Sequence, residues 1–281
     1  MPYQAEISRV NPSCFLFLID QSGSMSDRSA SGETGNSKAE DTALAINNVL
    51  RNLIITCSKS EGVRDYFHVG VIGYGQNIGP AFAGPLAGQK MVPVSAVADN
   101  PARLEERVKK VNDGAGGLVD QTIRFPIWFD PQAGGVTPMC QAFTLARETL
   151  AEWIAAHPDS FPPLVMNITD GESTDGDPSF AMRFVTELAT SDGNAFLFNV
   201  HVSSHAGAKP TVFPDSPAGL PDAYSQMLFN NASELTPHMR SVAREYGIAT
   251  TEGSRAFILN ADPTLVIAAL EIGTRPSNLE R

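Results

Sequence analysis

Two mostly apolar segments of strand length, each running into an aspartate, constrain the fold of this chain more than any other feature. The first covers residues 14–19 and ends at Asp20, and the second covers residues 164–169 and ends at Asp170. A strand that is apolar on both sides is typical of a parallel sheet with helices packed on both faces. The pattern therefore predicts a buried sheet that carries carboxylates where two of its strands end.

Helical and strand-like patterns alternate along the rest of the chain. Hydroxyl–proline pairs mark helix starts at Thr137 and Thr236, where a capping side chain precedes the residue most favoured in a first turn. Further strand patterns lie at residues 68–74, 195–202 and 256–260, and further helical patterns at residues 40–61, 101–111, 180–188 and 263–272. This order predicts an α/β fold, with a doubly wound, mostly parallel and Rossmann-like central sheet flanked by helices.

Length and composition favour one domain. The chain has 281 residues and 42% hydrophobic residues, which is enough for a large core, and no linker or internal repeat divides it. We predict a single domain over residues 1–281, with an irregular insertion around 205–235 that is rich in proline and glycine at its start. We also expect a flexible C-terminal tail from about residue 274.

Charge and cysteine content restrict partners and location. The formal net charge is −11 and no dense cluster of lysine and arginine occurs, so neither nucleic acid nor an anionic membrane is expected as a partner. The first residues show no cationic leader, and residues 15–19 are too short to span a membrane. Cys14, Cys57 and Cys140 have no metal-like spacing and suit free thiols. These features predict a cytoplasmic protein.

Oxygen donors cluster in three loops that the predicted sheet brings to one edge. The first loop carries Asp20, Ser22 and Ser24, the second carries Thr137, and the third carries Asp170. Ligands of doubly wound sheets bind beyond the carboxyl ends of the strands, where such loops meet. Carboxylate and hydroxyl oxygens suit a hard cation, so the sequence predicts a site for Mg²⁺, with Mn²⁺ or Ca²⁺ as alternatives.

The same loops resemble the metal-ion-dependent adhesion site of von Willebrand factor type A (vWA) domains, here of the bacterial cytoplasmic type. The resemblance rests on three segments in the expected order: Asp20-Gln-Ser22-Gly-Ser24, Thr137-Pro138 and Thr169-Asp170-Gly171. All five metal-linked positions match, and the order of elements agrees from Cys14 to about Ile272. The one departure is Val136, which separates Gly135 from Thr137.

The resemblance implies a binding module and not an enzyme. In this family the cation keeps an open coordination position, which a glutamate or aspartate of a partner protein fills, and Thr137 would enter or leave coordination on binding. Domains of this type are expected to act as scaffolds or regulators in bacterial multi-protein systems. Such systems often include a protein kinase, a phosphatase or an AAA-type ATPase.

Several other interpretations compete with this one. A metal-dependent hydrolase could use the same cation to activate water, but no histidine lies on the three loops. A phosphatase with an aspartyl nucleophile would need a second carboxylate where Ser22 stands. Residues 73–79 suggest a dinucleotide-binding loop, which Pro80 opposes because it blocks the following helix. His201 and His205 could bind a metal, although a strand end with one exposed histidine and one loop histidine explains them better.

Overall fold

A computed structural model describes residues 3–29, 35–112, 118–203 and 209–275. In these ranges the strands are β1 (Ser13–Gln21), β2 (Ser58–Lys59), β3 (Gly62–Val63), β4 (Phe67–Gly75), β5 (Ile78–Pro80), β6 (Val92–Pro93), β7 (Arg103–Asn112), β8 (Leu118–Ile127), β9 (Leu164–Thr169), β10 (Ala189–Thr190), β11 (Gly193–Asn194), β12 (Phe196–Val202), β13 (Thr211–Val212) and β14 (Phe257–Ala261). The α-helices are α1 (Lys38–Cys57), α2 (Val94–Asp99), α3 (Met139–Ala156), α4 (Ser179–Thr186), α5 (Ala223–Asn231), α6 (Pro237–Glu245) and α7 (Pro263–Thr274).

The central sheet confirms the predicted fold class. Its strand order is β13-β14-β12-β9-β1-β4-β5. β6 pairs with the beginning of β4, at His68 and Val69. The five inner strands from β14 to β4 are parallel, while β13, β5 and β6 pair antiparallel at the margins. From β1 the chain adds β4 on one side and β9 on the other, so the order of connection reverses at β1.

Helices cover both faces of this sheet. Alternate side chains of β1 belong to two separate buried clusters, as the two-residue period of a strand requires. One cluster contains Phe15, Phe17 and Ile19 and packs against α1, α2, α6 and α7. The other contains Cys14, Leu16 and Leu18 and packs against α3, α4 and α5. β1 is therefore buried along its whole length, which explains its apolar sequence.

The helix predicted over residues 101–111 is wrong. That segment forms β7, which pairs antiparallel with β8 in a separate two-stranded sheet. The four-residue spacing of Leu104 and Val108 suggested a helix face, yet both side chains are exposed. The pairing partner at residues 118–127 decides the conformation, and a local pattern cannot report it.

The segment around 205–235 is more regular than predicted. β13 lies in it and pairs antiparallel with β14, and α5 follows with a capping box in which the Asp222 side chain accepts from Ser225 N. His205 and the rest of 204–208 lie outside the described residues. So do residues 276–281 of the predicted tail, while α7 extends to Thr274. None of the helices that the structure describes has both the length and the apolar character that crossing a bilayer requires.

Asn47 on α1 fixes the chain segment that leads from β8 to the second predicted loop. Its side chain is buried, and its Nδ2 donates to Ala43 O and Phe129 O at 2.8 Å each. Its Oδ1 accepts from Trp128 N at 2.8 Å and from Phe129 N at 3.1 Å. One carboxamide thereby satisfies three backbone groups of residues 128–129 away from water.

We expect Asn47→Ala to lower the free energy of unfolding by about 2–4 kcal/mol, because it leaves these buried backbone groups without partners. Asn48→Ala is the matched control, since Asn48 is half-buried and, within the described part of the chain, its side chain donates to Leu44 O of its own helix alone. Urea unfolding of both variants and the wild type measures the difference. Equal losses for Asn47→Ala and Asn48→Ala would contradict the role of Asn47.

Candidate metal site

Two of the three predicted loops begin on neighbouring strands. β1 and β9 pair in parallel, so Asp20 near the end of β1 and Asp170 directly after β9 lie at the same edge of the sheet. This edge adjoins the reversal of strand order, where a crevice opens between crossovers of opposite direction. The positions predicted for the first and third loops are thus brought together by the sheet itself.

Asp20 is almost completely buried, with 1% of the residue exposed. Its Oδ1 accepts from Ser22 N and its Oδ2 from Thr169 Oγ1, both at 2.8 Å. Burial raises the pKa of Asp20 to about 6, although the hydrogen bonds from Ser22 and Thr169 lower it; Asp170 nearby raises it further. Sequence analysis placed Thr169 in the motif but missed its hydrogen bond to Asp20.

A row of oxygens connects the first loop with the third. Ser22 Oγ lies 3.0 Å from Ser24 Oγ, and Ser24 Oγ donates to Asp170 Oδ1 at 2.7 Å. A short 3₁₀ turn over Gly23–Ser26 produces this arrangement, anchored by the fully buried Met25. Ser22 is buried while Ser24 is exposed, so the row runs from the sheet edge to the surface.

The second loop is joined to the other two through backbone and hydroxyl groups. Gly134 N donates to Gln21 O at 2.7 Å, and Gly23 N donates to Gly135 O at 3.1 Å. On the other side, Thr137 N donates to Thr174 Oγ1 at 3.0 Å, and Thr174 N donates to Thr137 O at 2.9 Å. Thr137 is buried beside α3.

Thr137 therefore differs from the other four predicted ligands. Its hydrogen bonds with Thr174 do not reach them, and its loop is joined to the first loop through the backbone of Gly134 and Gly135. Ser22, Ser24 and Asp170, in contrast, are in direct side-chain contact. Thr174, whose hydroxyl and amide hold Thr137, was missed in the sequence because it lies outside the recognised motif. Val136, the departure from the family pattern, is exposed at the surface of this loop.

Lys38 is a charged neighbour of the site that sequence analysis did not find. Its Nζ lies 2.5 Å from Asp170 Oδ2 and 3.7 Å from Asp27 Oδ2, and only 4% of the lysine side chain is exposed. The Asp170 side chain is fully buried, and among the described residues its Oδ2 has no hydrogen bond of regular geometry besides this ionic contact. The sequence did contain a signal for Lys38. It is the first residue of α1, directly after the N-cap Ser37, where the helix dipole disfavours a cation, so a nearby anion was to be expected.

The donor set fits a hard divalent cation. Two carboxylates and hydroxyls lie at one sheet edge, and Asp170 Oδ2 is a buried oxygen without a regular hydrogen bond. Within the described ranges no three His, Cys, Asp or Glu side chains are grouped to hold a metal, so a cation here needs hydroxyl ligands too. Such oxygen-rich sets are those of Mg²⁺, Mn²⁺ and Ca²⁺.

The interpretation of residues 73–79 as a dinucleotide-binding loop loses its basis in the structure. These residues form the β4–β5 hairpin, with Gly73 paired to Gly79, so no helix directly follows that could bind a dinucleotide. His201 is half-buried at the end of β12, and its proposed partner His205 lies outside the described residues.

Comparison with known proteins found no family and no curated protein that matches this chain. Similar solved structures include the PilB minor pilin of Streptococcus sanguinis, with 10% identity, a TM-score of 0.45, and coverage of 96% of this chain and 61% of that one. The vWF domain of the type V pili tip protein Mfa5 from Porphyromonas gingivalis shows 11% identity, a TM-score of 0.29, and coverage of 58% and 39%. The pilus adhesin RrgA of Streptococcus pneumoniae shows 17% identity, a TM-score of 0.31, and coverage of 60% and 22%.

This chain therefore spans from about a fifth to three fifths of the length of these neighbours. At such identities, and with TM-scores below 0.5, the likeness concerns the fold at most; one of the similar structures is a vWF domain. The predicted cytoplasmic location is wrong on this comparison, because the similar structures are described as pilus, pilus-tip or adhesin proteins. Net charge and unpaired cysteines describe a protein's surface and thiols, and they do not fix its compartment.

We expect Gly135→Ala to destabilise the second loop by about 1–3 kcal/mol. Gly135 has φ +79°, and an added Cβ would lie 2.6 Å from Gln76 N and Cα. Gly134→Ala is the matched control, since its Cβ would meet nothing closer than Gln76 Oε1 at 3.7 Å. Thermal melts of both variants test this, and a Gly134→Ala loss as large as that of Gly135→Ala would contradict it.

The raised pKa of Asp20 predicts how the metal-free protein responds to pH. Because the folded pKa of about 6 exceeds the usual value of 3.8, its contribution to stability is full below about pH 4 and is lost as pH rises through about 6. In EDTA, Asp20→Asn should therefore become more stable relative to the wild type, by about 1–3 kcal/mol, between about pH 4 and pH 7. Chemical unfolding across this pH range measures the change.

Asp175→Asn provides the control of opposite sign. Burial raises the pKa of Asp175, but hydrogen bonds from Cys140 N and Gln141 N outweigh it, so the pKa lies below its usual value. Stability from Asp175 is therefore present above the usual pKa and lost as pH falls. A pH-independent difference between Asp20→Asn and the wild type would contradict the buried, ionisable state of Asp20.

Proposed function

We propose that this chain is a protein-binding module that engages an acidic partner residue through a divalent cation. The cation would be Mg²⁺, or alternatively Mn²⁺ or Ca²⁺, held by Asp20, Ser22, Ser24, Thr137 and Asp170. The observation that carries the proposal is the Ser24–Asp170 contact of 2.7 Å. It joins the loop after β1 to the residue after β9 through two oxygen atoms, both of a kind that binds hard cations. A bound cation would supply an electrophilic position for the carboxylate of a partner protein.

The residues around the site would keep its donors in position. Ser22 N and Thr169 Oγ1 hold the two oxygens of Asp20, so that carboxylate is oriented before any cation arrives. Ser24 lies at the exposed end of the oxygen row and gives a partner side chain access from solvent. Thr174 holds the backbone of Thr137 on both its amide and carbonyl, so a change in coordination at Thr137 would involve its side chain and not its backbone.

We propose binding and not hydrolysis because Asp175 and Asp177 of the third loop are poor proton acceptors, while Asp20, whose pKa is raised to about 6, would itself hold the cation. Asp175 caps the start of α3 by accepting from Cys140 N and Gln141 N, and its pKa lies below its usual value. Asp177 accepts from both N and Oγ of Ser179, and these hydrogen bonds also lower its pKa. A general base works best with a pKa near the working pH, which these carboxylates lack.

The cation itself is tested by calorimetric titration of the protein with Mn²⁺ and with Mg²⁺. Ser24→Ala should weaken binding by at least about tenfold, because it removes a proposed ligand and the hydroxyl that contacts Asp170. Ser26→Ala, two residues along the same turn, is the control and should bind as the wild type does. The Ser26 hydroxyl donates to Gly23 O, and among the described residues no hydrogen bond joins it to a proposed ligand. Binding by Ser24→Ala that equals the wild type would remove Ser24 from the site.

The partner is tested with the wild-type protein as bait against extract of the source cell. A protein retained in Mg²⁺ should be released by EDTA and should be lost with Thr137→Ala, but kept with Thr144→Ala. Thr144 is an exposed threonine on α3 that donates to Cys140 O within its helix, so it controls for loss of a hydroxyl nearby. If the protein stays bound in EDTA and also binds Thr137→Ala, the partner contact lies outside the candidate metal site.

A further inference from the structure

Lys38 is a buried cation in direct contact with the candidate metal site. It is the first residue of α1, after the N-cap Ser37, whose hydroxyl accepts from Glu40 N. From there its side chain reaches Asp170, whose Oδ2 lies 2.5 Å from Lys38 Nζ. Asp27 lies farther away at 3.7 Å, and its side chain is 61% exposed, so solvent screens that second pair strongly.

The position of Lys38 is unfavourable unless the nearby carboxylates stabilise it. An ammonium group loses much of its hydration when 4% of the side chain is exposed, and the N-terminal end of a helix carries a partial positive charge of its own. Asp170, fully buried and with Oδ2 lacking another regular hydrogen bond, provides the compensating charge. The lysine and the aspartate therefore compensate each other's charge while both side chains are almost fully buried.

We propose that Lys38 is a tethered counter-cation that sets the divalent-cation affinity of this site. Without a metal it neutralises Asp170, so that only Asp20 of the two carboxylates remains without this charge, and it keeps their loops folded. With a metal it repels the incoming ion and leaves the loaded site with more positive charge, which favours an anionic ligand. This inference rests on the proposed function, because it assigns a regulator to the same cation site.

A lysine that served only the fold would behave differently. Its replacement by a neutral side chain would lower stability with and without a cation and would leave the intrinsic cation affinity unchanged or weaker. A tethered counter-cation gives two effects of opposite sign, namely lower stability in the metal-free protein and tighter binding of the divalent ion. The two roles are therefore separable by measurement.

The test compares Lys38→Met, which keeps an unbranched apolar side chain without charge, with Lys38→Arg, which keeps the charge. We expect Lys38→Met to bind Mn²⁺ at least about tenfold more tightly than the wild type in calorimetric titration, because one unit charge no longer repels the ion. The same variant should melt at a lower temperature in EDTA and gain more on adding Mn²⁺. Lys38→Arg should keep the wild-type affinity within a few-fold.

Lys59→Met is the matched control, because it removes the same formal charge from an exposed lysine just past the opposite end of α1. It should leave both the cation affinity and the melting temperature in EDTA unchanged. If Lys38→Met does not fold in EDTA, the neutral and polar Lys38→Gln replaces it. Folding of both neutral variants only with Mn²⁺ supports the proposal.

The outcomes separate this inference from the proposed function. If the wild type binds Mn²⁺ and Lys38→Met binds it equally or more weakly, the counter-cation role is overturned and the metal site stands. If the neutral variants fail to fold even in Mn²⁺, Lys38 serves the fold alone and the inference is again overturned. If neither the wild type nor any variant binds Mn²⁺ or Mg²⁺, the proposed function itself falls.

Discussion

The burial of two carboxylates at the ends of neighbouring parallel strands is the constraint on which the candidate site depends. Asp20 is 1% exposed, and the side chain of Asp170 is fully buried. An ionised carboxylate away from water must be paired with donors or with opposite charge. The chain uses different solutions for the two: Ser22 N and Thr169 hold Asp20, whereas Ser24 and Lys38 contact Asp170.

These solutions leave the two carboxylates in unequal states. Burial dominates at Asp20 and raises its pKa to about 6. The hydrogen bonds from Ser22 and Thr169 orient this carboxylate but do not fully offset the loss of hydration of its ionised form. Asp170 instead has a cation at 2.5 Å and one hydroxyl donor. A cation that entered the site would therefore meet Asp20, whose described hydrogen-bond partners are neutral, and Asp170, which already has Lys38 as a counter-charge. That asymmetry is the reason to look to Lys38 for control of affinity.

The second loop depends on contacts at both of its ends. Asn47 holds residues 128–129 against α1 where the chain leaves β8, and Gln21 O accepts from Gly134 N a few residues later. Gly135 then passes close to the backbone of Gln76 with a positive φ, which brings Thr137 towards the first loop. The approach of Thr137 is thus a property of the scaffold, and the hydroxyl–proline signal alone would not produce it.

Much of the scaffold could be predicted from local patterns because each pattern reports which side of an element is buried. The apolar runs predicted β1 and β9, and helix signals predicted α3, α4 and α7 with errors only at their ends. The positions of Asp20 and Asp170 followed directly, since parallel strands end at one sheet edge. The three loop motifs supplied the remaining candidate ligands, and those in the first and third loops are in contact.

Tertiary structure decided what depends on partners far along the chain. The charged segment at 103–112 became β7 because β8 pairs with it, a pairing that no property of the segment itself determines. In the same way, the position of Lys38 directly after an N-cap shows only that its charge is unusually placed, and the fold brings it beside Asp170, the residue that follows β9. Sequence fixes local periodicity and the chemistry of each side chain. Which charges meet out of water is set only when the helices and strands pack, because Coulombic and desolvation energies depend on distances in the folded state.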